Sequence, residues 1–157
     1  MNRGPNDPAL LATALSIAAR AHAGQVDKAG NAYLAHPLRV AARVMDDGDE
    51  VVAAALLHDV LEDSELTLQD LAGAGLPPRV LEAVDRLTRR PGETHGAAVR
   101  RAAAHPMSAL IKRADIADNS DPDRLALLPE ELKARLSAKY ARALAVLEDP
   151  ERTVDGD

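Results

Sequence analysis

Four side chains able to hold a metal ion or move a proton fall in one short stretch. They are His58, Asp59, Glu62 and Asp63, at the end of the run AAALLHDVLED. Residues three and four apart share a helical face, so a continuous helix sets His58 beside Glu62, and Asp59 beside Glu62 and Asp63. Carboxylates on an otherwise apolar helix need a partner before they enter a core. A metal ion is one such partner, and it needs more ligands. His36, where a loop meets a helix opened by Pro37, and Asp115, beside an apolar stripe further on, complete a set of two imidazoles and two carboxylates. Such a nitrogen and oxygen set suits manganese, iron, zinc or magnesium. Four protein ligands in an octahedral shell leave two positions for water and a substrate oxygen, the open geometry that metal-assisted hydrolysis requires. Asn119, four residues after Asp115, shares its helical face and is placed to hold a substrate hydroxyl.

The His58-Asp59 pair alone carries little weight. With 5 His and this many Asp in 157 residues, such a dipeptide arises by chance about half a time. The order His, then His-Asp, then Asp, with Glu-Asp behind the pair, is far less accidental. His22 ends an apolar stripe and reads as a packed or capping histidine in preference to a ligand.

The elements that must position these groups are helical. Hydrophobic residues make up 46% of the 157-residue chain and aromatics only 1%, with no Phe or Trp. The core must be built from Leu, Val, Ile and Ala, which favours closely packed helices over sheets. The length suits one domain. Asp7-Pro8 reads as a cap and first turn, opening a helix to about Ala23 with Leu11, Leu15, Ala18 and His22 inward. Gly24–Ala35 reads as a long loop, and loops of that length are usually functional or disordered. After His36-Pro37, Leu38, Val40, Ala41 and Val44 supply an inner face. A continuous helix is expected from Asp49 through Glu62, and a capping box at Thr67–Asp70 opens a short one. Pro77-Pro78, Thr94, Pro106 and Asp121-Pro122 mark further starts. Glu130–Leu147 reads as a closing helix with Leu132, Leu136, Tyr140 and Leu144 as its stripe. Residues 1–7 and 150–157 are expected to be flexible ends around a single domain over 8–149.

The net charge of −6 argues against a general nucleic-acid binder, which needs basic surface to neutralise phosphates. Arg79, Arg86, Arg89, Arg90, Arg100, Arg101, Lys112 and Arg113 nonetheless outnumber Glu82, Asp85 and Glu93 in one segment. This is either a solvated basic face or a patch that steers a small polyphosphate. There is no cysteine, so disulfides and thiolate metal sites are ruled out. No stretch reads as a membrane span or signal peptide, and a cytoplasmic location is the expectation.

The strings AARAHAGQVDKAGNAYLAHPLRVA, AAALLHDVLEDS, LTRR and ALIKRADIADN strongly resemble the HD-domain hydrolase of the RelA/SpoT homologues. They look most like the small stand-alone alarmone hydrolases related to the metazoan SpoT homologue. The resemblance covers about Ala14 to Asn119. It implies an all-α, single-domain HD-type helical bundle with a metal site in its centre. It implies that His36, His58, Asp59 and Asp115 hold a divalent ion, manganese in the family, and that Glu62 and Asp63 position or activate the attacking water. It sets Asn119 near the ribose, and Lys28 and Tyr33 on the nucleotide side. Asp27 stands where the family commonly has a base-stacking arginine, and Arg113 where it usually has an apolar residue. Ser120-Asp121-Pro122 departs from the family's usual continuation.

The activity this implies is removal of the 3′-pyrophosphate of (p)ppGpp to give GDP or GTP and pyrophosphate. The alternatives are an HD phosphohydrolase acting on a different nucleotide or phosphate ester, and a non-catalytic nucleotide-binding HD domain. The expected partner is a small-molecule nucleotide, with no nucleic acid and no membrane, and a homo-oligomer is compatible with the sequence.

Overall fold

The computed structural model describes residues 7–151. The flexible ends expected over 1–7 and 150–157 lie almost wholly outside the described residues. Among those described, the chain is helical throughout, with no strand and a lone antiparallel bridge between Val26 and Ala32. Among the described residues, no helix is long and apolar enough to cross a membrane.

The Ala-rich segment sets the architecture. Helix α3 (Asp49–Leu57) buries every residue from Val51 to Leu57. Alanine's small side chain lets neighbours approach from several sides, so one helix can sit at the centre of the bundle. Helices α1 (Pro8–Ala21) and α2 (Ala35–Arg43) pack on α3, as does α6 (Pro78–Leu87). Leu57, with no exposed surface, contributes about 1.5–3 kcal/mol of burial on transfer scales.

The expected helix from Asp49 through Glu62 is broken in two: α3 ends at Leu57, and α4 (Val60–Asp63) restarts after His58-Asp59. The cause is local. The backbone N–H of His58 reaches back three residues to the Ala55 carbonyl at 3.4 Å. That same carbonyl is taken at 2.6 Å by the His58 ring Nδ1. The tightened turn closes the helix.

Helix α5 (Leu68–Gly73) carries the capping box expected at Thr67 and Asp70. Helices α7 (His95–Ala103), α8 (Pro106–Asn119), α9 (Pro122–Leu125) and α10 (Glu130–Glu148) complete the described chain. A second, smaller apolar cluster joins Val99, Ile116, Ala143, Val146 and Leu147. Helix α8 serves both clusters: Ile111 and Ala114 face the main core, and Ile116 faces the smaller one. Asp115 is held between them.

Three expected core leucines point outward: Leu15 and Leu38 are each 42% exposed and Leu144 is 36% exposed. In α1, Leu10 and Ala14 are buried more deeply than the expected Leu11 and Leu15, while Ala18 and His22 are buried as expected. In α10 the buried positions are Leu136, Ala143, Val146 and Leu147. A stripe stepped by four at every turn drifts around a helix of 3.6 residues per turn, and Leu144 has drifted off the face.

Within residues 24–35, expected as a loop, one carboxylate ties the turn at residues 27–31. Asp27 Oδ1 accepts hydrogen bonds from the backbone N–H groups of Ala29 and Asn31, each at 2.9 Å. The Asp27 N–H donates to the Asn31 carbonyl at 2.8 Å. Gly30, at φ +84°, makes the turn, a conformation that other residues adopt at a cost.

Candidate metal centre

The break between α3 and α4 turns two adjacent side chains to one point. On a continuous helix His58 and Asp59 would diverge by about 100°. Here His58 Nε2 lies 3.1 Å from Asp59 Oδ2. Helix α2 brings His36 Nε2 to 3.6 Å from Asp59 Oδ2 and 3.0 Å from Asp115 Oδ1. Helix α8 sets Asp115 Oδ1 at 3.6 Å from His58 Nε2. His36, His58 and Asp115 are all buried, and each offers an atom within 4.8 Å of the others'. Asp59 stands at their edge and takes a hydrogen bond from the Tyr33 hydroxyl.

The ring nitrogens on the far sides fix what these atoms are. His58 Nδ1 donates to the Ala55 carbonyl at 2.6 Å, and His36 Nδ1 donates to Asp118 Oδ2 at 2.7 Å. In the neutral rings both Nε2 atoms are therefore bare lone pairs. They face carboxylate oxygens, so four electron-rich atoms converge, and Lys112 Nζ holds only the other oxygen of Asp115, at 2.8 Å. His58 Nε2 is fully buried and has no hydrogen-bond partner. A divalent cation resolves this arrangement. Without one, a proton takes its place. Burial opposes the charged form of His58, but Asp59 and Asp115 overcome it and hold the ring well above its ordinary value. The same contest raises His36, through Asp115 and Asp118. Asp115 is driven well below the usual carboxylate range, against burial, by Lys112 and the two imidazoles. The donor set fits a divalent metal.

Glu62 lies on α4, past the helix break. It accepts a hydrogen bond from the backbone N–H of Arg89 and lines a cleft of about 340 Å³ with Asp59, Arg89, Lys112 and Lys139. Asp63 keeps its proton to higher pH than usual, because burial and the Asp59 charge disfavour its anion. A second cavity of about 570 Å³ adjoins this cleft, walled by Val26, Asp27, Arg124, Leu125, Leu128 and Leu136. Lys28, Tyr33 and Asn119 line both spaces, and so does Tyr140. Asn119 Nδ2 also donates to Asp115 Oδ1 at 2.9 Å.

Several residues here were not singled out from the sequence. Asp118, 1% exposed, takes hydrogen bonds from His36 and, at 2.8 Å, from Arg39 Nε. Arg124 pairs with the same carboxylate. A signal existed: Arg39 is three residues after His36 and Asp118 three after Asp115, the spacing of same-face partners. Lys139, on the closing helix, had no such signal. Burial lowers its pKa, and so do Lys28, Lys112 and Arg89 crowded around it. Burial, and then the charges of Lys139, Lys112 and Arg89, pull His95 down to about 4.

A sequence profile described as the HD domain matches residues 14–113. The chain belongs to the HD domain family. The matched segment of this HD domain holds His36, His58 and Asp59, while Asp115 lies just past its end. Over 148 residues the HD-domain chain is 30% identical to a protein of Mycobacterium leprae named a probable GTP pyrophosphokinase, covering 88% of this chain and 19% of that one. It is 31% identical over 116 residues to a guanosine-3′,5′-bis(diphosphate) 3′-pyrophosphohydrolase of Aquifex aeolicus, covering 68% and 16%. It is 43% identical over 63 residues to the bifunctional (p)ppGpp synthase/hydrolase SpoT of Escherichia coli, covering 39% and 9%. The HD-domain chain thus spans less than a fifth of the length of these relatives. Among solved structures, one described as a metazoan ortholog of SpoT that hydrolyzes ppGpp matches with a TM-score of 0.77 and 23% identity, over 93% of this chain and 89% of that one. That likeness extends the shared fold past the matched profile, through α8 and into the closing helix.

Proposed function

We propose that this HD domain is a metal-dependent phosphohydrolase that removes the 3′-pyrophosphate of (p)ppGpp. Water adds to the phosphorus attached to the 3′ oxygen, the bond from that phosphorus to O3′ breaks, and GDP or GTP leaves with pyrophosphate. The observation that carries this reading is the unpartnered Nε2 of His58 among three other ligand atoms, opening on a cleft lined by cations. His36, His58, Asp59 and Asp115 would hold the ion. Bound there, a divalent ion acidifies water and polarises a phosphoryl oxygen.

The remaining work falls to the chain's own groups. Glu62 orients the attacking water and accepts its proton, and Asp63 stands behind it in the same role. Lys28, Arg89, Lys112 and Lys139 neutralise the phosphates of the pyrophosphoryl group under attack, and the departing O3′ takes up a proton from water. Asn119 and Tyr33 hold the ribose side, and the base enters the apolar cavity beside Tyr140. The names of the Aquifex and Escherichia relatives support the substrate. The mixed imidazole and carboxylate set supports manganese. The net charge of −6 supports a small nucleotide over a nucleic acid as the partner, and a nucleotide substrate supports a cytoplasmic setting and a part in the stringent response.

Asp27 supports a second reading, in which the ion and chemistry stay and the base changes. A carboxylate in the cavity wall accepts hydrogen bonds that an arginine cannot. Incubating manganese-loaded protein with ppGpp and a panel of other nucleotides separates the two. Pyrophosphate release from ppGpp at rates above the rest of the panel is the expected result. Faster turnover of a different nucleotide supports the second reading, and silence across the panel overturns both.

A further inference from the structure

We infer that Arg124 is a positioning residue shared by the base cavity and the metal centre, so that filling one strengthens the other. This rests on the hydrolase reading for what enters the cavity, though not for the contacts themselves. Arg124 sits on α9, where its backbone is pinned: Asp121 Oδ1 accepts from its N–H at 3.2 Å and from that of Asp123 at 3.0 Å. Its guanidinium reaches two carboxylates that belong to different structures. One nitrogen donates to Asp118 Oδ2 and, at 3.2 Å, to the Asp118 carbonyl. The other lies 3.9 Å from Asp27 Oδ2.

Each carboxylate has a second task. Asp118 accepts from His36 Nδ1 at 2.7 Å and so holds the ring with Nε2 turned to the metal position. Asp27 ties the turn at residues 27–31 through its other oxygen, and that turn is a wall of the base cavity. A single fork therefore joins the loop that a nucleobase must press against to the group that orients a metal ligand. Partners behind a ligating histidine typically change metal affinity 10- to 100-fold. Any free energy that links the two sites acts equally in both directions. A lysine has one point of charge and cannot span both carboxylates.

The test is manganese binding to the full chain by titration calorimetry, with and without GMP, which carries the base and has one phosphate that chelates the ion weakly. In the wild type, GMP is expected to raise manganese affinity about tenfold. Asp27→Asn should keep the affinity measured without GMP within about twofold yet lose the tenfold gain. Arg124→Gln should lose the gain and also about tenfold of the affinity itself. Arg124→Lys keeps the charge and guards against misfolding of the glutamine variant, and it too should lose the gain. A wild type indifferent to GMP, or a gain that survives in Arg124→Lys and Asp27→Asn, overturns the inference. Assaying the same wild-type protein on ppGpp keeps the two ideas apart. A tenfold gain without turnover sinks the hydrolase reading and leaves the shared anchor standing, whereas turnover with no gain does the reverse.

Discussion

His58 Nε2 and Asp59 Oδ2 face each other at 3.1 Å although the two residues are neighbours in the chain. The helix break after Leu57 is what allows it. Because His58 Nδ1 is committed to the Ala55 carbonyl, the facing nitrogen has only a lone pair to offer. Substitutions at this point should therefore act on ion uptake first. His58→Gln and Asp115→Asn are each expected to weaken manganese binding by about 100-fold or more, beyond the 10- to 100-fold typical of supporting residues. Equilibrium dialysis with metal analysis checks this. Binding within tenfold of the wild type would remove either residue from the ligand set.

Glu62 is separable from that set, since its carboxylate is taken by the backbone N–H of Arg89 in the cleft. Glu62→Gln keeps the hydrogen-bond acceptor and loses the base. It should lower kcat on ppGpp about 10²- to 10⁴-fold, with manganese affinity within about threefold of the wild type. Steady-state kinetics at saturating ion, alongside the dialysis, shows whether the two effects part in this way.

The fold class was legible in composition, because a chain almost without aromatics and rich in Ala and Leu has little but helix packing to bury. The candidate ligands were legible as an order of residue types along the chain. Their convergence was not. It depends on a break at His58-Asp59 driven by a side chain bonding to its own backbone, and the apolar run AAALLHDVLED carries no glycine or proline to announce it. The loop order imposed by Asp27 was hidden for a similar reason, since an aspartate in a loop is read as charge before it is read as a cap. Lys139 and Arg124 come from elements that join the site only through tertiary packing.

The metal-free protein should lose stability as pH rises through neutrality. His36 and His58 have folded pKa values above the ordinary 6.5. Above 6.5 the folded state thus binds more protons than the unfolded one, and stability falls with each step in pH until the folded values are passed. Manganese reverses the trend, because it binds the deprotonated rings more tightly as pH rises. Thermal melts in chelator at pH 6.5, 7.5 and 8.5 should give descending Tm values, and the shift produced by saturating manganese should grow across the same series. A flat chelator series would mean the imidazoles are not held among ionised carboxylates.

Close packing around α3 can be tested without the site. Ala53, Ala54 and Ala55 have no exposed surface, so a larger side chain has nowhere to go. Ala54→Leu is expected to destabilise the fold by about 1–3 kcal/mol, read as a lower urea midpoint with an unchanged m-value. A midpoint equal to the wild type would show that α3 is not packed on all sides.

The most direct measurement is pyrophosphate release from ppGpp by the manganese-loaded wild type and by Asp115→Asn under identical ion concentrations. The expected result is stoichiometric GDP and pyrophosphate from the wild type, with the variant slower by a factor of about 10³ or more. Equal release by both, or none from a wild type shown to carry its ion, would contradict hydrolysis at this metal centre.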